Sequence, residues 1–286
     1  MKAMVTLTVP EGKRLIARAI AQMPEVQRAR EQGKILLKGG TTVSAIAEEL
    51  VGVPLRISGR ISPRGLRSAM VVHEAVHNML IEGPHWRRVD DNLAEAARQL
   101  RRGDVLVLGA NLIDVHGGAA IMAGARFGGY AGQYLSGLSA EGIPILVAAG
   151  LEKLIPGTVQ GAIRVAGRQQ VDLSIGMAVG LIPICGQVIT EVEALKLLAP
   201  VECQVVGKGG VDGAEGGAVL AFWGEEGDVK RLFRLVLDLK GATTSALPES
   251  MVECIGASNR CRDHRACIYR SPKLADVILS SRRPQR

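Results

Sequence analysis

Aromatic side chains are scarce in this chain, with Trp 2, Tyr 3 and Phe 3 among 286 residues, 3% in all. That scarcity removes the stacking platforms that hold single-stranded RNA and DNA, and argues against a nucleic-acid binder. Long basic blocks are missing as well. The net charge of +7, from 35 Lys and Arg against 28 Asp and Glu, is spread over short clusters such as Arg87-Arg88 and Arg101-Arg102, so it favours small anionic ligands over polyanions. No secretory apolar segment is present, and the five cysteines, an odd number, argue against a disulfide framework and for thiols that are free or metal-bound. A cytoplasmic protein is therefore expected. No membrane span is expected either: the longest uncharged run, 173–190, is cut by Gly176, Gly180, Pro183 and Gly186 and reads as a buried strand followed by a glycine-rich loop.

Apolar residues and glycine are what the chain has in plenty. A 47% hydrophobic and 22% charged composition over 286 residues describes a globular protein of one large or two ordinary domains with an ample core. The 35 glycines imply tight turns and close backbone approaches.

Residues 11–32 have helical character with Gly33 as a stop, and Lys34-Ile-Leu-Leu-Lys38 reads as a short buried strand. It runs straight into Gly39-Gly40-Thr41-Thr42, after which a helix over 43–51 is ended by Gly52 and Pro54. A strand is predicted over 54–62, a helix over 91–102, a strand over 104–109, a long helix over 119–140 and a strand over 143–149. This alternation predicts an α/β fold, a layered and mostly parallel sheet with helices on both faces, which takes its ligand at the carboxyl ends of the strands. From Thr190 the pattern changes. Thr190-Glu-Val-Glu193 is a capping box opening a helix to Ala199, strands follow over 201–207 and 217–223, and Asp228 caps a helix over 229–240. The expected organisation is an α/β domain over 1–185, a smaller α+β domain over 186–245, and a loosely attached Cys- and Arg-containing segment over 246–286, in a homo-oligomer.

Three constellations carry chemistry. The first is the loop of Gly39, Gly40, Thr41 and Thr42, which sets backbone N–H groups and two hydroxyls at a helix N-terminus, where the dipole and the unpaired donors favour a phosphate or carboxylate. A plain tight turn with a threonine cap is the other reading of the same residues. The second is His73-Glu74-Ala75-Val76-His77, an H-E-x-x-H string. On a helix it places two imidazoles one turn apart for zinc, with a glutamate to activate water; its flanks, however, suit a strand equally well. The third is Cys254, Cys261, His264 and Cys267, whose thiolates and imidazole suit zinc or an iron-sulfur cluster, although their spacing matches no standard knuckle and loose thiols explain them too.

Taken together, the stretches 38–50, with Lys38-Gly-Gly-Thr-Thr, 104–114, with Leu108-Gly-Ala-Asn-Leu-Ile-Asp114, and 141–149, with Ile143-Pro-Ile-Leu-Val147, resemble the NagB/RpiA/CoA-transferase-like superfamily over about residues 30–155. That group includes ribose-5-phosphate and methylthioribose-phosphate isomerases and the alpha-type subunits of a eukaryotic guanine-nucleotide exchange factor. The resemblance implies a sugar-phosphate or similar anionic small molecule between the glycine loop and the loop after the 104–109 strand. It puts the phosphate loop on Gly40, Thr41 and Thr42 and matches Gly109, Ala110 and Asn111 to the superfamily's Gly-Ala-Asp segment. Asn111 thus stands where the isomerases have an aspartate, and an amide takes no proton at neutral pH. Asp114 is the nearby carboxylate that could replace it, unless it serves only as a turn acceptor. The candidate catalytic residues are Asn111 and Asp114; the candidate ligand-binding residues are Gly39, Gly40, Thr41, Thr42, Gly109, Gly117, Gly118 and Lys153. Three functions remain open: an isomerase-like enzyme, a zinc-dependent hydrolase using His73, Glu74 and His77, and a non-catalytic effector-binding protein on the same fold.

Overall fold

The computed structural model describes residues 1–69, 74–254, 261 and 264–270, and among these described residues it has eight α-helices and fourteen strands. The chain opens with β1 (Lys2–Leu7), α1 (Val9–Gln22), α2 (Pro24–Gln32), β2 (Lys34–Lys38) and α3 (Thr41–Val51). Two hairpins follow, β3 (Gly59–Ser62) with β4 (Gly65–Ser68) and β5 (Asn78–Glu82) with β6 (His85–Arg88). Then come α4 (Leu93–Arg98), β7 (Val105–Gly109), β8 (Leu112–Ile113), β9 (Ala119–Ala123), α5 (Ala131–Ala140), β10 (Ile145–Ala148) and α6 (Val159–Val165). The remainder is β11 (Gly180–Ile184), β12 (Gln187–Ile189), α7 (Glu191–Leu198), β13 (Val201–Gly209), β14 (Gly217–Gly224) and α8 (Glu226–Asp238).

The protein is an α/β chain built round a six-stranded sheet of order β12-β10-β7-β2-β5-β6. In it β2, β7, β10 and β12 run parallel, while β5 and β6 continue the sheet antiparallel. Successive side chains of a strand point to opposite faces, so the apolar run of β2 divides between two clusters. Ile35 and Leu37 pack with Leu15, Ile16, Ile46 and Leu195 from α1, α3 and α7, whereas Leu36 packs with Leu93, Ala97, Leu135 and Leu138 from α4 and α5. Burial on both faces is why β2, β7 and β10 read as continuous apolar runs.

Several elements depart from the sequence reading. The 11–32 helix is two helices: Met23 is extended, ψ 136°, because Pro24 lacks an N–H and biases its predecessor away from helix. The 119–140 helix forms only from Ala131. Ala119–Ala123 is instead a strand in register with β11, and Gly128 and Gly129, at φ 78° and 60°, separate it from α5. A short alanine-rich apolar run has no decisive period, and the partner strand settled it. The 173–190 run yields two partly exposed strands in two different sheets, β11 beside β9 and β12 beside β10. Of 54–62, only Gly59–Ser62 is strand.

The helix–strand–strand–helix pattern after Thr190 forms as α7, β13, β14 and α8, and the Thr190–Glu193 capping box is present. Its sheet takes a third strand from the far end of the chain, since β1 pairs with β14 from Lys2↔Trp223 to Leu7↔Ala218. One hydrophobic cluster includes Leu15, Leu37, Leu220 and Leu232, so residues on both sides of position 185 share a core. The described part of 246–286 is anchored, not loose. Ser250, fully buried, accepts the Ile57 N–H at 3.0 Å, and Arg67 stacks over Tyr269 at 3.9 Å. Among the described residues, no helix is long and apolar enough to cross a membrane.

Candidate anion-binding cleft

The carboxyl ends of β2, β7 and β10 open into a cleft of 1370 Å³, larger than the few hundred Å³ of a typical metabolite site. At the end of β2 the chain must pass close beneath the 74–78 segment. A β-carbon on Gly39 would lie 2.2 Å from the His77 carbonyl oxygen and 2.3 Å from its Nδ1, so only glycine fits. Gly40 is different: it is extended, at φ 179°, and a β-carbon there would have nothing within 4 Å. Gly40 is the N-cap of α3 and offers no side chain to cap it. The first intrahelical bond runs from the Ser44 N–H to the Gly40 carbonyl at 2.7 Å, which leaves the amides of Thr41, Thr42 and Val43 ahead of it without an intrahelical acceptor.

The charge lining the cleft is mostly positive. Arg56 and Arg88 meet Asp90 at 3.3 and 3.4 Å, and Arg88 also meets Asp91 at 3.1 Å. Asp90 further accepts the N–H groups of His77 and Asn78, at 3.1 and 2.6 Å, so its carboxylate is fully engaged. Lys13 and Lys153 share Glu152 at 3.5 and 3.9 Å. Lys38 lines the same cleft and has no hydrogen-bond or ion-pair partner among the described residues; enclosure alone holds its ammonium below the usual lysine pKa. An anion in the cleft would supply the missing counter-charge.

His77, read as a zinc ligand, lines the cleft in a different role. Its Nδ1 lies 2.6 Å from the carbonyl oxygen of Arg56, which has no proton to give, so Nδ1 must carry the proton and Nε2 the lone pair. Burial, then the nearby Lys38 and Arg56 charges, pushes its pKa down to about 4, and the ring is neutral. Residues 74–77 form a turn and bend, not the helix that an H-E-x-x-H zinc site requires, and His73 lies outside the described residues. Cys254, Cys261 and Cys267 are buried and form no disulfide among the described residues. Among the described residues, no group of three or more His, Cys, Asp or Glu side chains is placed to hold a metal ion.

Of the residues singled out from sequence, Gly39, Gly40, Thr41, Thr42, Gly109, Asn111 and Lys153 all line the cleft, as do Cys254 and His264. Asn111 accepts the Met122 N–H through Oδ1 at 2.8 Å, so its NH2 is the part left to a ligand. Asp114, Gly117 and Gly118 do not line it. They form the turn between β8 and β9, where Asp114 accepts N–H groups from His116, Gly118 and Val159 at 3.0, 2.8 and 2.8 Å. Those bonds, with Val159 first, hold its pKa below the usual carboxylate value. Asp114 is thus a structural turn acceptor tying the hairpin to α6, and the carboxylate proposed as a base is spent on backbone.

Residues missed from sequence include Lys38, Lys13, Arg56 and Arg60. The one local signal was Lys38 itself, a charge at the carboxyl end of an otherwise apolar buried strand. A second missed feature lies beside the cleft, where Glu152 and Glu191 follow β10 and β12. A β-carbon at Gly150 would be 2.1 Å from Glu152 Oε2 and 2.9 Å from Glu191 Oε1, so the two carboxylates converge there. Both Glu152 oxygens are buried without a hydrogen bond among the described residues, and burial with the Glu152 charge pushes the Glu191 pKa up to about 7. Compared with protein-family models, characterised proteins and solved structures, the chain finds no match in any of the three.

Proposed function

We propose that the cleft binds a phosphorylated or carboxylated small molecule, with the anionic group on the amides of Thr41, Thr42 and Val43 and on the two threonine hydroxyls. The observation that carries this reading is an uncapped helix start facing a cleft in which an enclosed lysine, Lys38, has no counter-ion among the described residues. In this reading the six-stranded sheet is the layered core of a NagB/RpiA-like fold, and a sugar phosphate is the leading ligand. A carboxylate-based isomerisation has no support, because Asp90 and Asp91 are paired with arginines and Asp114 is outside the lining. That leaves effector binding, or a reaction that draws on the lysine, imidazole and amide groups.

The test is a Gly40→Asp variant. An extended φ suits aspartate, which is a preferred N-cap and would satisfy the α3 amides with its own carboxylate. Titration with inorganic phosphate and a sugar-phosphate panel, followed by thermal stabilisation and calorimetry, should show binding to the wild type. The variant should fold at least as stably and lose that binding at least tenfold. Equal binding by both proteins would overturn the site.

A further inference from the structure

Among the described residues six lysines and arginines line the cleft, and five of them have partners. Lys13 and Lys153 face Glu152, Arg56 and Arg88 face Asp90, and Arg60 donates to the backbone carbonyls of Ser250 and Met251. Lys38 has none among the described residues. Lys38 pairs with Asn78 in the β2–β5 register, the adjacent Gly39 packs on His77, and the Lys38 charge acts on that imidazole, so both groups lie close together in the cleft lining. His77 donates from Nδ1 to Arg56, so Nε2 is an acceptor. Across from them, at the end of the next strand, Asn111 is fixed through Oδ1 and keeps its NH2 for a ligand.

We infer that Lys38 is a nucleophilic amine that condenses with the carbonyl carbon of an anionic aldehyde or ketone held in this cleft. The neutral amine adds to the carbonyl carbon, a C–N bond forms, and the C=O π pair moves to oxygen, where the Asn111 NH2 donates to it. His77 Nε2 takes the proton from the new ammonium centre and returns it to the oxygen. The nitrogen lone pair then closes C=N as the hydroxyl departs, and His77 Nε2 relays the remaining N–H proton to that oxygen, which leaves as water. The sum is one amine and one carbonyl giving one imine and one water, with no oxidant or reductant. Such an imine, once protonated, withdraws electrons and acidifies the adjacent C–H. Enclosure, with no counter-ion among the described residues, raises the neutral fraction of the amine. The choice of an anionic substrate rests on the binding reading above; the amine chemistry does not.

The experiment uses pyridoxal 5′-phosphate, an aldehyde carrying a phosphate, with borohydride to reduce any imine to a stable secondary amine, followed by intact mass and a peptide map. Wild type should gain one label, on Lys38, at least tenfold faster than on any surface lysine. Lys38→Arg, which keeps the charge and forms no such adduct, should lose that label. Label spread over surface lysines, or unchanged stoichiometry in Lys38→Arg, overturns the proposal. The map of the wild type decides the case even if the variant does not fold. Inorganic phosphate and unphosphorylated pyridoxal separate the two readings. Protection of Lys38 by phosphate supports both. Labelling of Lys38 by both aldehydes without phosphate protection supports the amine and removes the anion loop. Phosphate binding without a Lys38 label keeps the loop and refutes the amine.

Discussion

Glu191→Gln tests the electrostatics beneath the cleft most sharply. Glu191 is 4% exposed, its Oε2 accepts the Leu151 N–H at 2.8 Å, and Glu152, whose oxygens lack hydrogen bonds among the described residues, converges on the same point. Its pKa is about 7 in the folded protein against 4.5 for the free group, so between those values the folded state holds a proton that the unfolded state has released. Stability from this group is therefore complete below about pH 4.5 and declines as the pH rises toward 7. At 1.36 kcal/mol per unit, the penalty grows from under about 1 kcal/mol at pH 5 to about 3 kcal/mol at pH 8. Glutamine keeps the shape and the acceptor for Leu151 but never ionises, and its NH2 can donate to Glu152. Urea unfolding of both proteins from pH 5 to 8, read as the difference between their curves, should show the variant gaining on the wild type by about that amount as pH rises, at equal m-values. A difference that is flat with pH, or a variant weaker at pH 8, would show that Glu191 is ionised and held by the charges of Lys13 and of Lys208, which donates to the Leu151 carbonyl and acts on the same carboxylate.

Further outcomes follow from other contacts. Gly39→Ala forces a methyl into the His77 carbonyl and ring and should cost about 1–3 kcal/mol, whereas Gly40→Ala, pointing into open space, should cost under about 1 kcal/mol; equal urea midpoints would refute the close-approach argument. Asp90→Asn leaves the buried Arg56 without its carboxylate and should cost about 3–5 kcal/mol in the same assay. Asp114→Ala should speed amide hydrogen exchange at Gly118 and Val159 while leaving phosphate binding by the cleft unchanged; a loss of binding would restore Asp114 to the site. Because bonding to backbone lowers the Asp114 pKa, its contribution is present above the ordinary carboxylate pKa and lost as the pH falls through the depressed value, so wild type and Asp114→Ala should converge in stability on acidification.

Local signals carried much of this reading from the residues alone. β2, the paired glycines and α3 were legible because an apolar run, a glycine break and a helical period sit within eighteen consecutive positions, 34–51, and the Thr190 capping box was legible because its four residues satisfy one another. The long-range choices were not. Whether Ala119–Ala123 became strand or helix depended on β11 about sixty positions away, and whether Asp114 faced a ligand or a turn depended on which amides the fold delivered to it. The same holds for the first strand, whose partner, β14, lies more than two hundred positions along the chain. Charge is the plainest case. Six lysines and arginines of the described residues line the cleft, yet only the tertiary arrangement gives carboxylates or carbonyls to five of them and leaves Lys38 beside a neutral His77 with no such partner among the described residues, because ion pairing is decided by distances through space and not along the chain.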